Sequence, residues 1–516
     1  LLNISSVTAA GLLSTSGAIC TGYSTFRNQI PFSLHSLPAQ SILKGRSRAV
    51  ANPISPPAIC PYALPESNLM KTRRLLLQNI CCITILSGIF GQWSMAQSIA
   101  PVSNLRVGVA KVDITPTTDI PTVGHPRATK GARDPLRAGV LVLDDGQTRA
   151  AIATFDLIDA KNSMVKDARR VISEKARVPQ ENILVNASHN HSGPDYDKNP
   201  AWAAEVTAKV ASAAAEAAAA MKPVTVGYGV DEINFSINRR KVINGRAVVR
   251  LNPEGVNDRR VRVLRFDDGQ SLTPVAVLMH AICHPCFFTW GDNATPPYPT
   301  GFPKMSADFP GEAQTFIEKT YDNKTKVMFV QGCAGDIRPN LPGDPYRCAD
   351  EADIQWAGRD LGGAVVRALA KTMIREEFRT RPTHYKLKVA SEKVKLPAKE
   401  GPPIEVEMMA MKIGPYLLLA MPGEPMVEYG LKMEAAIADR AVPIILGYSN
   451  GQLGYVATAQ AHSVGGYEPT QSPVKPEAEP EILKSLNRMA DRVVGDVFET
   501  FNKHPMDVKM RVEKER

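Results

Sequence analysis

From residue 105 to residue 446, short apolar runs of strand length alternate with longer segments of helical period. Strands and amphipathic helices both need a cover for their apolar faces, so this alternation restricts the chain to an α/β architecture. Strands are predicted over 105–112, 139–143, 150–157, 183–187, 224–230, 260–266, 274–282, 326–330 and 442–446, with two more flanking Gly414-Pro415 as a hairpin. Helices are predicted over 164–176, 201–221, 307–319, 349–372, 425–438 and 480–501. The 201–221 segment is Ala-rich, which favours helix, and Lys222-Pro223 ends it. The expected fold is α/β, with layered mixed β-sheets flanked by helices in one large domain over residues 97–516. Arg239-Arg240-Lys241, with Arg246, Arg250, Arg259 and Arg260, is predicted to be a solvated basic loop between strands. Such a loop could also attract anionic head groups at a membrane surface.

Residues before 97 follow a different pattern. Met70-Lys71-Thr72-Arg73-Arg74 is a basic start, residues 75–90 are mostly apolar, and Ser94-Met95-Ala96 is a small-x-small site. Together these read as a signal peptide over 70–96, cleaved near Ala96, with export to the periplasm, the cell surface or the medium. The apolar run is short for a membrane span of about 20 residues. Residues 1–69 show no amphipathic period and are expected to be an over-extended or disordered leader. This partition changes the meaning of the charge. The formal net charge is +9, but seven of the 61 bases and one of the 52 acids precede residue 97, leaving about +3 for the rest. A nucleic-acid binder keeps a basic surface on its folded part, so nucleic acid is not an expected partner.

Four clusters carry chemistry. Asn186-Ala187-Ser188-His189-Asn190-His191-Ser192-Gly193-Pro194 follows a predicted buried strand, where α/β proteins place ligands. His-x-His in an extended chain puts two imidazoles on one side. They are either zinc ligands or a hydrogen-bonded loop pair, and the spacing alone does not separate these. His280-Ala281-Ile282-Cys283-His284-Pro285-Cys286 also ends an apolar run. It is either a redox dithiol, which wants a helix directly after it, or a source of one ligand, His284. The following Phe287-Phe288-Thr289-Trp290 reads as loop, which favours His284; His280, within the strand, reads as a core or supporting histidine. In Met421-Pro422-Gly423-Glu424-Pro425, the carboxylate either completes a metal site or caps the next helix. The last cluster is Ser449 to Thr458, whose Tyr455 no spacing argument would single out.

In this order the clusters resemble the neutral/alkaline ceramidases, over about Val107 to Thr458. The family's Ser-His-Thr-His-Ser-Gly-Pro-like stretch, His-Pro, Gly-Asp-Val-Ser-Pro-Asn, Pro-Gly-Glu and Ser-Asn-x-Tyr-Thr-x-Tyr-Ile-Thr-Thr are matched in turn. Their counterparts are Ser188 to Pro194, His284-Pro285, Gly335-Asp336-Ile337-Arg338-Pro339-Asn340, Pro422-Gly423-Glu424, and Ser449 to Thr458. Val112-Asp113-Ile114-Thr115-Pro116 and Ser236-Ile237-Asn238-Arg239 match two further family stretches. The resemblance implies the ceramidase catalytic-domain fold and Zn2+ held by His189, His284, Glu424 and Tyr455. It also implies catalytic roles for His191, as base or donor beside the attacking water, for Arg239 facing the substrate, and for Asp336 shaping the site. The implied activity is cleavage of the amide bond in ceramide-like N-acyl lipids.

Departures from the family pattern bear on the substrate. Arg338 stands where the family has a serine, and Cys286 follows His-Pro where the family has a small polar or β-branched residue. A Pro-rich loop over 289–305 precedes Ser306-Ala307-Asp308, the counterpart of the family's Ser-x-Asp. Arg338 and Asp308 are expected to line the substrate. The family's C-terminal sandwich domain is expected to be absent. The alternatives are hydrolysis of another small amide or ester at the same zinc site, or thiol oxidoreduction through Cys283 and Cys286. Cys333 and Cys348 could form a disulfide in an exported chain.

Overall fold

The computed structural model describes residues 103–495, apart from 124, 270, 272, 288–303, 344–348 and 375–383. The leader, the signal peptide, Cys348 and most of the Pro-rich loop therefore lie outside the described residues. In chain order the strands are β1 (Arg106–Asp113), β2 (Pro121–Thr122), β3 (His125–Ala128), β4 (Arg137–Asp144), β5 (Arg149–Phe155), β6 (Ile183–Ala187), β7 (Lys222–Glu232), β8 (Ser236–Ile243), β9 (Arg246–Asn252), β10 (Arg260–Asp268), β11 (Pro274–Ala281), β12 (Lys326–Gln331), β13 (Ile337–Pro339), β14 (Leu387–Leu396), β15 (Ile404–Ile413), β16 (Tyr416–Ala420), β17 (Glu424–Pro425), β18 (Val442–Leu446) and β19 (Tyr455–Val456). The helices are α1 (Asn162–Ala176), α2 (Pro200–Ala219), α3 (Asp308–Thr320), α4 (Glu351–Ile374), α5 (Val427–Ile437), α6 (Ala459–Val464), α7 (Tyr467–Gln471) and α8 (Ala478–Val494).

An eight-stranded mixed sheet has the order β12-β11-β10-β7-β1-β4-β5-β6, and a four-stranded sheet has the order β14-β15-β16-β18. In the large sheet β11–β12 and β5–β6 are parallel pairs, and in the small sheet β16–β18 is parallel. The two sheets share one apolar layer, in which Leu141, Ile152, Leu264 and Leu278 meet Met409, Leu418, Ile444 and Leu446. Truncating one such leucine to alanine would cost about 2–5 kcal/mol. The other face of the large sheet is covered by α1 and α2 over one half and by α3 and α4 over the other. Helices α5 and α8 cover the outer face of the small sheet. The result is four layers, helix–sheet–sheet–helix, which is the expected α/β architecture with flanked mixed sheets.

Local chemistry explains the elements. Strand β5 is buried on both faces, so its sequence is a near-continuous apolar run and not an alternating one. Helix α2 starts with Pro200 at its first turn, where the missing N–H costs nothing. Its small residues let β1 come close: a Cβ added at Gly108 would sit 1.8 Å from the Ala217 carbonyl oxygen.

The structure departs from the sequence reading at one instructive place. The basic stretch is a hairpin, β8–β9, and not a loop. Asn244 and Gly245 take positive φ of 50° and 77° at its turn, the geometry that an Asn-Gly pair accepts most readily between two strands. Strand β14 also lies outside the predicted elements; its Lys- and Glu-rich sequence hides the pairing with β15. Among the described residues no helix is long and apolar enough to cross a membrane.

Candidate active site

Strands β6, β11, β16 and β18 all end toward one place, and the loops that follow them carry His189, His284, Glu424 and Tyr448. Backbone hydrogen bonds knit these loops together: Ala187 N donates to the Tyr448 carbonyl at 3.0 Å, and His191 N to the Pro285 carbonyl at 3.1 Å. The large sheet's edge strands are tied as well, since Gln331 N donates to Asn186 Oδ1 at 2.9 Å.

His189 and His284 are each 1% exposed. Nδ1 of His189 is 2.8 Å from the Ile158 carbonyl, and Nδ1 of His284 is 3.0 Å from the Ile337 carbonyl. A carbonyl oxygen only accepts, so both Nδ1 atoms carry the hydrogen and both Nε2 atoms present lone pairs when the rings are neutral. Those lone pairs face one carboxylate oxygen, Glu424 Oε2, at 3.0 Å and 3.3 Å. His191 Nε2 lies 3.1 Å from His189 Nε2. One ring nitrogen from each of His189, His191 and His284 falls within 4.8 Å of the other two. Acceptors facing acceptors at such distances repel unless a cation or a proton sits between them. The donor set therefore fits a metal ion: neutral imidazoles oriented through their second nitrogen by backbone carbonyls, plus a carboxylate.

The ionisation tendencies follow from burial and from the Glu424 charge, which draws either a proton or a cation to His189. Burial lowers the basicity of His189, but the Glu424 carboxylate outweighs it and its pKa is raised. Burial would raise the Glu424 pKa, yet the histidines hold it well below the usual carboxylate range. Burial and Arg239 bring His284 down to about 4. Burial, with the neighbouring His189 and His284, puts His191 well below its ordinary value, so its imidazole is neutral at pH 7.

The His-x-His pair converges differently from the expectation. His189 is not extended but has a φ of +66°. A buried histidine in the left-handed region is held there by its surroundings, at a backbone cost of about 1–3 kcal/mol. Similarly, Gly423 has a φ of +77°, and a Cβ there would lie 2.5 Å from the Gly454 carbonyl. That approach lets β17 pair with β19, which sets Glu424 beside Tyr455.

Arg239 flanks the histidine cluster. Its Nη2 donates to Gly335 O at 2.8 Å and to Tyr455 Oη at 3.0 Å, and its Nε to Glu468 Oε1 at 2.9 Å. The Tyr455 ring stacks on His284 with centroids 6.5 Å apart. Burial raises the Tyr455 pKa, partly opposed by Arg239, so its hydroxyl keeps a proton to donate. His189, His191, His284, Glu424, Arg239 and Tyr455 are thus brought together.

The remaining site candidates stand elsewhere. Asp336 is fully buried one layer behind the cluster, where its carboxylate accepts from Asn238 Nδ2 and Val427 N. Its own carbonyl accepts from Arg239 N at 2.9 Å, so it shapes the site through Arg239 and α5. Asp308 is not at a substrate surface: it is fully buried, and its carboxylate accepts from Phe287 N at 2.8 Å and Phe309 N at 2.7 Å. Arg338 is half-buried on β13, opposite Ile237. His280 is a core histidine whose Nε2 is 3.0 Å from the Ile445 carbonyl. Cys283 and Cys333 are free, buried thiols. Burial pushes the Cys283 thiol well up, the opposite of an activated thiol; the residues after Phe287 that would show a following helix lie outside the described residues.

Three residues at the site escaped the sequence reading. Glu468 is fully buried and pairs with both Arg239 and Arg240. Tyr467 is 45% exposed, edge-on to Tyr455 at 5.4 Å and 5.5 Å from the Arg239 guanidinium carbon. The Tyr448 ring packs on His189 at 4.4 Å. Tyr448 directly precedes the last motif and Tyr467 and Glu468 follow it, all without a spacing signal of their own.

The backbone places this cluster in known company. A crystal structure of neutral ceramidase from Pseudomonas aeruginosa superposes with a TM-score of 0.62 over 78% of this chain and 77% of that one, at 17% identity. The chain has the neutral-ceramidase fold. A ceramidase complexed with C2 matches at a TM-score of 0.60 and 16% identity, with the same shares covered. No family model matches the sequence, and no curated protein matches it. The likeness to the ceramidase fold is therefore one of backbone geometry, which persists where sequence identity has fallen below what sequence comparison detects.

Proposed function

We propose that this chain is a zinc-dependent amidohydrolase that cleaves the amide bond of ceramide-like N-acyl lipids. The observation that carries the reading is the convergence of the His189 and His284 lone pairs on Glu424 Oε2, with His191 beside them, on the neutral-ceramidase fold. His189, His284 and Glu424 would hold the ion, with Tyr455 as fourth ligand through its hydroxyl. When bound, zinc supplies a Lewis acid that polarises the scissile carbonyl and eases deprotonation of the attacking water.

The chain's own groups supply the rest. His191 is neutral, so it can take the proton from water and return one to the leaving amine. Arg239 stays charged through Glu468 and Tyr455 and can stabilise negative charge developing on the acyl oxygen. Glu468 fixes the guanidinium so that little reorganisation is needed during reaction. Tyr467, exposed beside the buried Tyr455, offers an aromatic face next to the site.

The test is metal content of the purified protein, with hydrolysis of a fluorescent ceramide measured before and after chelation. One zinc per chain with chelator-sensitive cleavage supports the reading. Zinc without cleavage would move the substrate to another small amide or ester, with Arg338 the first position to vary. Absence of zinc would overturn the ligand assignment. Export after cleavage near Ala96 is part of the same proposal, and N-terminal sequencing of the native protein tests it.

A further inference from the structure

Hairpin β8–β9 emerges from the site. Arg239 at its root is buried, but residues 241–246 are all exposed, as are Val248 and Arg250. Seven large apolar side chains are exposed among the described residues. Five of them belong to this corner: Val242, Ile243 and Val248 on the hairpin, Val256 on the adjoining loop, and Tyr467 on α7. The loop is tied to the root by Asn238 Nδ2, which donates to the Val256 carbonyl at 2.8 Å. The start of α7 is tied by Arg240, which donates to Gly465 O at 2.8 Å and pairs with Glu468.

The charge of the hairpin has one sign. Between Ile233 and Pro253 there are five bases and no acid. Arg239 and Arg240 turn inward to Glu468, whereas Lys241, Arg246 and Arg250 stay at the surface. Exposed branched apolar side chains among cations, at the end of a projecting ribbon, match a surface that is apolar at depth and anionic at its rim. A bilayer with acidic head groups has that chemistry.

We propose that the β8–β9 tip is a membrane-docking element, placing Val242 and Ile243 at the head-group boundary of an anionic bilayer with Lys241 and Arg246 on its phosphates. From Arg239 to Ile243 is four residues, roughly 13 Å at about 3.3 Å per residue. Docking would therefore bring Tyr467, the exposed ring against Tyr455 and Arg239, next to the lipid. The purpose of docking rests on the lipid substrate proposed above; the binding itself does not, so the two can fail separately.

The experiment is co-sedimentation of the full chain with vesicles of phosphatidylcholine alone or with phosphatidylserine, at low and high salt. Wild type is expected to bind the anionic vesicles, to bind neutral ones weakly, and to lose binding as salt rises. Val242→Asp/Ile243→Asp and, separately, Lys241→Glu/Arg246→Glu are each expected to weaken binding at least about tenfold without changing Tm. Hydrolysis of a vesicle-embedded N-acyl lipid should fall in parallel, while hydrolysis of a short soluble amide should not change. Failure of wild type to bind anionic vesicles, or equal binding by both variants, would overturn the proposal. So would a wild-type dimer in light scattering that the variants abolish without any vesicle binding, which would assign the tip to a second copy.

Discussion

Oε2 of Glu424 lies 3.0 Å from Nε2 of His189, although 235 residues separate them in the chain. The carboxylate and the imidazole lone pair repel unless a cation or a proton lies between them, and a metal ion can be bound by both at once. Glu424→Gln and His189→Ala are therefore expected to lower bound metal at least about tenfold, together with activity. Metal analysis of each purified variant checks this, and full zinc occupancy in either would remove that residue from the ligand set.

Arg239→Lys keeps the charge but cannot reproduce three fixed bonds, to Glu468, Gly335 and Tyr455. The expected outcome is a fall in kcat/KM of about 10²–10³, with metal content unchanged. A variant that loses metal in proportion to activity would instead make Arg239 a structural support of the cluster.

Cys286→Ala should leave amide hydrolysis within about twofold, because no step of the proposed reaction uses a thiol. Thiol oxidoreduction would require both cysteines of the pair. Insulin reduction by wild type that disappears in Cys286→Ala would return that alternative to first place.

Asp308 gives the molecule a pH dependence of stability. Burial pushes its pKa from 3.8 up to about 7, although two backbone amides oppose the shift. The unfolded chain releases this proton near pH 4, whereas the folded one holds it to about pH 7. Between those values the folded state binds more protons, so stability falls as pH rises and levels off above pH 7. The full shift corresponds to on the order of 4 kcal/mol. Denaturation of wild type and Asp308→Asn at pH 4.5 and 7.5 should show the variant gaining relative to wild type at the higher pH. A difference independent of pH would mean that Asp308 is ionised throughout.

Gly108→Ala is expected to destabilise by at least about 3 kcal/mol, since overpacking alone costs about 1–3 kcal/mol and its Cβ would run first into backbone, the Ala217 carbonyl at 1.8 Å, which cannot yield as the Met221 side chain at 3.0 Å can. Thermal denaturation measures it. A near-normal Tm would show that α2 can move off β1.

Much of this molecule was readable in one dimension. Apolar runs of strand length ending in polar loops marked where the sheet ends would be, because burying a strand is a local requirement on composition. The strand predicted over 183–187 has the observed bounds, as does that over 442–446. Residue types at those ends restricted the chemistry: His189, His191, His284 and Glu424 are groups that bind metals and move protons. The hairpin was hidden because Arg and Lys resemble loop, and its Asn-Gly turn was the one local sign of pairing.

The tertiary structure decided everything that depends on distance between remote segments. No local rule sets His284 and Glu424 within 3.3 Å; the segment after β12 does so by bonding to both loops, its Ile337 carbonyl accepting from His284 N and its Gly335 N donating to the Pro425 carbonyl. Burial likewise separated acids of similar sequence appearance. Asp308 was consigned to backbone amides, Asp336 to the support of Arg239, and Glu468 to the ion pair that holds Arg239 at the cluster. The sequence thus determined which groups were present and which local shapes they could take. Their roles were settled by packing, because desolvation and a partner within about 3 Å set both the charge and the direction of a side chain.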